Sequence, residues 1–331
     1  MPIVTVENIH HSYGARVALD GVSFDVASGE CFGILGPNGS GKSTLFKILT
    51  TLLPPTSGRA AVAGFDVAKQ PGSVRGSIGV VFQSPSLDIH LTVGENLTHG
   101  GRLYGLGGMQ LRQRMEQVSA ALGIEDRLKS RVKTLSGGLK RRAELAKCLL
   151  HRPSVMLLDE PSTGLDPLAR KELGRQLDAL RREHGITVLL TTHDMDEADR
   201  CDRLAIFDQG KLVAIGAPEE LKRRIGGETV IIDAPDADGV TAEIETALRV
   251  KVGRADGLMR IETADGAALL SRLLPRFGSR IRSLTLGKPT LEDVFVRETG
   301  HRFESRHKRR EVGVFRRLEQ ISCLGPIEKA K

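Results

Sequence analysis

Between the apolar run Cys31-Phe32-Gly33-Ile34-Leu35 and the segment Leu45-Phe46-Lys47-Ile48-Leu49 lies the string Gly36-Pro37-Asn38-Gly39-Ser40-Gly41-Lys42-Ser43-Thr44. The run reads as a buried strand, and the segment as a helix with one apolar face. Gly36, Gly41, Lys42 and Ser43 fit the P-loop pattern G-x-x-x-x-G-K-[ST]. The chemistry demands this order. Glycines let the backbone wrap closely around phosphates, and successive N–H groups point inward as an anion nest. The helix N-terminus adds its partial positive charge. Lys42 can reach the β- and γ-phosphates, and the Ser43 hydroxyl can bind Mg²⁺. Gly36 to Thr44 is therefore the candidate triphosphate cradle.

The surrounding chain has the alternation an α/β fold needs. Ile3–Val6 and Gly21–Phe24 look like strands of an edge sheet around a turn. Val155–Leu158 and Ile186–Leu190 are continuous apolar runs, as strands covered on both faces require. Leu111–Gly123 and Leu139–Leu150 read as helices, and Thr92-x-x-Glu95 as a capping box opening another. A break comes at Ile225-Gly226-Gly227. Beyond it, strands at Thr229–Asp233, Leu258–Ile261 and Ile281–Leu286 alternate with helices at Val240–Leu248 and Ala267–Leu274. That pattern suggests a small ferredoxin-like or related unit.

A second chemical string is Val155-Met156-Leu157-Leu158-Asp159-Glu160-Pro161, an apolar strand ending in two acids. After a P-loop this reads as a Walker B pattern. Asp159 would hold Mg²⁺ and Glu160 would orient and polarise the attacking water. Three more strings follow the same logic of order: Leu135-Ser136-Gly137-Gly138, Ser162-Thr163-Gly164-Leu165-Asp166-Pro167, and Thr191-Thr192-His193-Asp194 after a buried strand.

Taken in sequence, P-loop, Gln83, LSGG, Walker B, SxGLD and a histidine after a strand, the chain resembles the nucleotide-binding subunit of an ABC transporter over about residues 1–220. The resemblance implies a fold: a P-loop ATPase domain at 1–225, with a RecA-like α/β core, an antiparallel β subdomain and a helical subdomain. A small α/β domain at 226–300 and a basic tail at 301–331 would follow. It also implies roles. Tyr13 stands where an aromatic stacks on adenine, although a packing tyrosine in a turn would look the same. Gln83 corresponds to the glutamine that senses Mg²⁺ and the attacking water, and His193 to the switch histidine that contacts the γ-phosphate. Asp166 corresponds to an acid that helps couple two sites. Ser136, Gly137 and Gly138 would cap the ATP held by a second copy, so the working unit is a head-to-tail homodimer closed on two ATP with Mg²⁺. Leu139 replaces the usual glutamine of the signature and, with Lys140-Arg141-Arg142, resembles the branch of daunorubicin-resistance exporters. Lys288-Pro289-Thr290-Leu291-Glu292-Asp293-Val294-Phe295 resembles that branch's C-terminal element, although a simple terminal helix would also read this way. The branch implies a separate membrane-spanning permease as partner and export of drugs, lipids, polysaccharides or similar cargo. An import ATPase, or a non-transport relative acting on nucleic acid or ribosomes, is the alternative.

Composition adds limits. The formal net charge is +7, but His301–Lys331 alone holds nine Lys/Arg against four Asp/Glu. The excess is local, so a whole-surface nucleic-acid footprint is not indicated. The tail's charge suits contact with anionic lipid, or a solvated extension. No stretch reaches the ~18 apolar residues of a membrane span, and the start carries no signal-peptide pattern. The expectation is a peripheral protein at the cytoplasmic face of the cell membrane. The four cysteines form no CxxC pair, and buried free thiols are expected.

Overall fold

A computed structural model of the chain describes residues 2–225, 227–255 and 257–303. Most of the expected basic tail, with Cys323, lies outside the described residues. The chain opens on β1 (Pro2–Tyr13), β2 (Arg16–Ala27), β3 (Cys31–Leu35), α1 (Lys42–Leu49), β4 (Ser57–Val62), β5 (Phe65–Asp66), α2 (Pro71–Ser77) and β6 (Ile78–Val81). Three helices follow: α3 (Val93–Leu103), α4 (Gly108–Ala121) and α5 (Gly137–Leu149). The chain then returns through β7 (Val155–Asp159), α6 (Pro167–His184), β8 (Thr187–Thr192), α7 (Met195–Ala198), β9 (Arg203–Asp208), β10 (Lys211–Gly216) and α8 (Pro218–Arg223).

The central sheet has the order β10-β9-β3-β8-β7-β6, parallel except for β10. Every residue of β3, β7 and β8 is buried, which explains their unbroken apolar runs. A second, antiparallel sheet, β2-β1-β4-β5, lies over one side. Its inward residues Val4, Val6, Ile9 and Phe24 join Phe32 of the central sheet and Phe46 of α1 in one core. The Phe24 and Phe32 rings stack at 5.1 Å. Burying each such side chain is worth roughly 1.5–3 kcal/mol. Helices α3, α4 and α5 meet through Val93, Leu97, Leu111, Val118, Leu145 and Leu149 in a second core. The capping box forms at the start of α3: Glu95 N donates to Thr92 Oγ1 at 3.2 Å, and Thr92 N donates to the Glu95 carboxylate at 2.8 Å. The α/β core, the antiparallel subdomain and the helical subdomain are thus all present.

The last stretch comprises β11 (Glu228–Asp233), α9 (Ala237–Leu248), β12 (Gly253–Ala255), β13 (Leu258–Thr263), α10 (Gly266–Phe277), β14 (Ser283–Gly287) and α11 (Leu291–Thr299). The order β-α-β-β-α-β is ferredoxin-like, in an antiparallel sheet β12-β13-β11-β14. The short strand β12 has no counterpart in the sequence reading: three residues starting on a glycine carry no legible period. Helix α11 turns back to the first unit. Leu291, Val294 and Phe295 pack with Leu35, Leu204, Ile206 and Leu221. Asp293 is its N-terminal tie, closing a capping box with Thr290 and pairing with Arg260 of β13.

Candidate functional site

The parallel order places the C-terminal ends of β6, β7, β8 and β3 side by side. From β3 runs the loop 36–41; Gln83 follows β6, Glu160 follows β7 and His193 follows β8. In open α/β sheets ligands bind in the crevice outside these strand ends. A cavity of about 310 Å³ lies there, lined by Tyr13, Arg16, Asn38, Lys42, Ser43 and Gln83 among others, with Glu160 also at its wall.

The loop has the backbone that such a cradle needs. Gly41 caps α1 with φ 105°, a left-handed conformation, and a Cβ there would lie 2.6 Å from the Ala18 carbonyl oxygen. A Cβ on Gly36 would lie 2.5 Å from the Phe207 carbonyl oxygen. Lys42 is 4% exposed, and its Nζ donates to the carbonyl oxygens of Gly36 at 2.6 Å and Pro37 at 3.0 Å. Burial pushes its ammonium pKa down, against the pull of Glu160 and Asp159. A buried cation satisfied by the loop's own carbonyls, beside a helix start, fits an anionic ligand. Pro37, Gly39, Ser40 and Thr44 complete the loop and the first turn of α1.

The acid pair divides by environment. Asp159 is buried, which pushes its carboxyl pKa up; Thr191 Oγ1 donates to its Oδ1 at 2.5 Å. The register explains the contact, because Asp159 pairs with Thr191 between β7 and β8. A carboxylate disfavoured by burial and the cavity-lining hydroxyl of Ser43 are hard-oxygen donors of the kind that fits Mg²⁺. Among the described residues no cluster of three His, Cys, Asp or Glu could hold a metal by itself.

Glu160 sits at φ 48°, a strained conformation for this residue type. Gln83 Nε2 and Thr163 Oγ1 both donate to its Oε2 at 3.2 Å, and His193 Nδ1 lies 3.1 Å from its Oε1. The His193 hydrogen bond is the main cause that holds the Glu160 pKa below the usual range; reciprocally, it raises that of His193. Glu160 is therefore ionised at neutral pH and aimed at the cavity, with three partners fixing its oxygens.

Other expected residues lie apart. Ser136 caps α5, accepting from Leu139 N at 3.4 Å, and Asp166 caps α6, accepting from Ala169 N at 2.8 Å. A Cβ on Gly138 would lie 3.2 Å from Ala169 Cβ, and one on Gly137 would lie 3.6 Å from Leu165. The two segments are thus neighbours, while none of Ser136, Gly137, Gly138 or Asp166 lines the cavity. Leu139 packs its side chain on the helical core. Tyr13 lines the cavity, 47% exposed, edge-on to His11.

The sequence reading did not include Arg16 and Lys47, which add two cations to the lining, or Thr191 and Thr163 around the acids. Lys47 carried a faint signal, four residues after Ser43 and one turn along α1. Arg16 carried none, since only the β1–β2 turn brings it there. Cys31, Cys148 and Cys201 are buried free thiols, and burial pushes the Cys148 pKa up to about 12.

The model of the ABC transporter family matches residues 19–163, and that of the ATP-binding protein DrrA1-3-like C-terminal domain matches residues 216–299. The daunorubicin resistance ATP-binding protein DrrA2 of Streptomyces coeruleorubidus is 38% identical, over 91% of this chain and 96% of that protein. The Nod factor export ATP-binding protein I of Rhizobium sp. (strain N33) is 38% identical, over 91% of this chain and 98% of that protein. Among solved structures, the dimeric post-hydrolysis state of the ATP-binding cassette MJ0796 with ADP and Pi superposes with a TM-score of 0.59. It is 28% identical and covers 65% of this chain and 98% of that one.

Proposed function

We infer that this chain, which belongs to the ABC transporter family as an ATP-hydrolysing subunit with a DrrA-like C-terminal domain, powers export of a small cargo through separate membrane-spanning subunits. One observation carries the catalytic part: adjacent strand ends bring the loop 36–41, Gln83 and Glu160 to one cavity, and His193, from the next strand end, lies against Glu160.

In this reading the 36–41 amides and Lys42 bind the ATP phosphates, Tyr13 stacks on the adenine, and Arg16 and Lys47 add positive field. Ser43, Asp159 and Gln83 would hold Mg²⁺, which would supply charge neutralisation at the phosphates. Glu160, ionised and anchored by Gln83, Thr163 and His193, accepts a proton from the attacking water as the new P–O bond forms. ADP departs with the electron pair of the broken bond. His193 holds Glu160 and faces the γ-phosphate.

A single copy's Ser136-Gly137-Gly138 does not line its own cavity, which supports a head-to-tail homodimer in which each copy caps the other's ATP. Asp166, beside that segment, would couple the two sites. Among the described residues no helix is long and apolar enough to cross a membrane. This fits a peripheral subunit at the cytoplasmic face that borrows its pathway from a permease. The names of the relatives, daunorubicin resistance and Nod factor export, favour export over import.

The test uses the purified full chain with ATP and Mg²⁺. We expect binding, turnover, and faster turnover when the chain is reconstituted with its membrane subunit. Glu160→Gln should bind ATP, lose at least ~100-fold in turnover and run as a dimer on gel filtration. Absence of nucleotide binding would remove the reading. A Glu160→Gln protein that turns over normally would remove Glu160 from its role.

A further inference from the structure

One guanidinium ties the signature helix to both catalytic loops. Arg141 lies in the second turn of α5 and is 7% exposed. Its Nε donates to the Pro161 carbonyl oxygen at 2.8 Å and its Nη1 to that of Phe82 at 3.1 Å. Its Nη2 reaches the Glu160 carbonyl oxygen at 3.5 Å. The accepting residues are the neighbours of Gln83 and of Glu160, and Glu160 itself. Nη1 also donates to Glu144 Oε2 at 2.8 Å. Glu144 is buried too, and its other oxygen accepts from Ser86 N at 2.7 Å. Lys147, one turn further along α5, donates to the Ser86 carbonyl oxygen at 2.7 Å.

These acceptors share a physical situation. Carbonyls where a chain leaves a sheet have no ladder partner and must be satisfied otherwise when buried. Arginine meets the need because its donors are held rigidly in one plane and can serve several acceptors at once. The consequence is mechanical. The spacing between Gln83 and Glu160, whose side chains meet at 3.2 Å, is held from behind by a side chain of α5. The N-terminus of that same helix is Ser136-Gly137-Gly138.

We propose that Arg141 is a positioning residue: it sets the Gln83–Glu160 pair and links its geometry to the helix that caps the second copy's ATP. This rests on the ATPase reading above. Arg141 does not line the cavity, so its removal should spare binding and impair turnover.

The experiment compares the full-length wild type with Arg141→Lys and with the double variant Arg141→Gln/Glu144→Gln. The double variant removes both buried charges together and keeps similar volumes, so neither is stranded. Turnover, KM for MgATP, affinity for a fluorescent ATP analogue and thermal unfolding are measured on each. We expect affinity and KM within about twofold of wild type and kcat lower by about 10- to 100-fold, the scale of a misplaced reacting group. Arg141→Lys should fall between, because one ammonium cannot serve the same acceptors. Either folded variant with wild-type kcat would overturn the proposal, as would binding and turnover falling in the same proportion. An inactive wild type would instead bring down the ATPase reading, and this inference with it.

Discussion

At the scale of single residues, the site is built from groups held away from their ordinary chemistry. Lys42 is a cation in a dry place, Asp159 an anion in another, and Glu160 a strained residue with its carboxylate fully engaged. Lys42→Ala removes charge-assisted hydrogen bonds worth about 1.5–3 kcal/mol, so we expect ATP affinity to fall by about 10- to 100-fold. Titration with a fluorescent ATP analogue measures it. A residue outside the site gives a pH signature. His151 stacks on Tyr104 at 3.7 Å, and its Nε2 donates to the Ile78 carbonyl oxygen at 2.9 Å. Its Nδ1 is buried with no hydrogen-bond partner among the described residues. Burial holds its pKa below the ordinary imidazole value of 6.5. The unfolded chain therefore binds this proton more readily than the folded one. The stabilisation is complete above pH 6.5 and is lost as pH falls through the lower, folded value. Urea midpoints of the wild type should drop between about pH 7 and about pH 5. Those of His151→Gln should drop less.

At the scale of elements, the P-loop and the fully buried strands β3, β7 and β8 were legible because their requirements are local. A tight glycine turn and an unbroken apolar run announce themselves in adjacent residues. The capping box at Thr92 was legible for the same reason. Strand β12 was not, being too short for a period, and the docking of α11 was only half visible. Its apolar face, Leu291, Val294 and Phe295, could be read as core-facing, but which core it faces could not. It lies against the first unit, alongside the end of β3 from which the P-loop springs. We expect Phe295→Ala, fully buried in that contact, to cost about 3–5 kcal/mol in urea unfolding of the whole chain. Its effect should register in the melting of the nucleotide-binding unit, because part of that unit's core is lost.

At the scale of the whole molecule, the segment 136–138 lies apart from its own copy's cavity, so in the proposed homodimer each site would be shared between two copies. Lys42, Gln83 and Glu160 line the cavity, while Ser136-Gly137-Gly138 does not. The arrangement makes a complementation test possible. Lys42→Ala and Ser136→Arg should each be inactive alone. Mixed, they form heterodimers in which one site inherits both defects and the other neither. We expect the mixture to recover ATPase activity that neither variant shows separately, read by phosphate release. Failure to recover, with both variants folded, would argue that both halves of a site come from one chain.

The sequence by itself determined the candidate site: the P-loop pattern at Gly36–Thr44, the acids at Asp159 and Glu160, and the order of motifs that marks the family. These depend on residue types and backbone freedoms contiguous along the chain. Only the tertiary structure decided that Arg16 and Lys47 join the lining, that Thr191 backs Asp159, and that Arg141 spans two loops. Those meetings follow from which strand lies beside which in the sheet, and in what register. Strand order arises from long crossovers and shared burial, and no local pattern of residues encodes it.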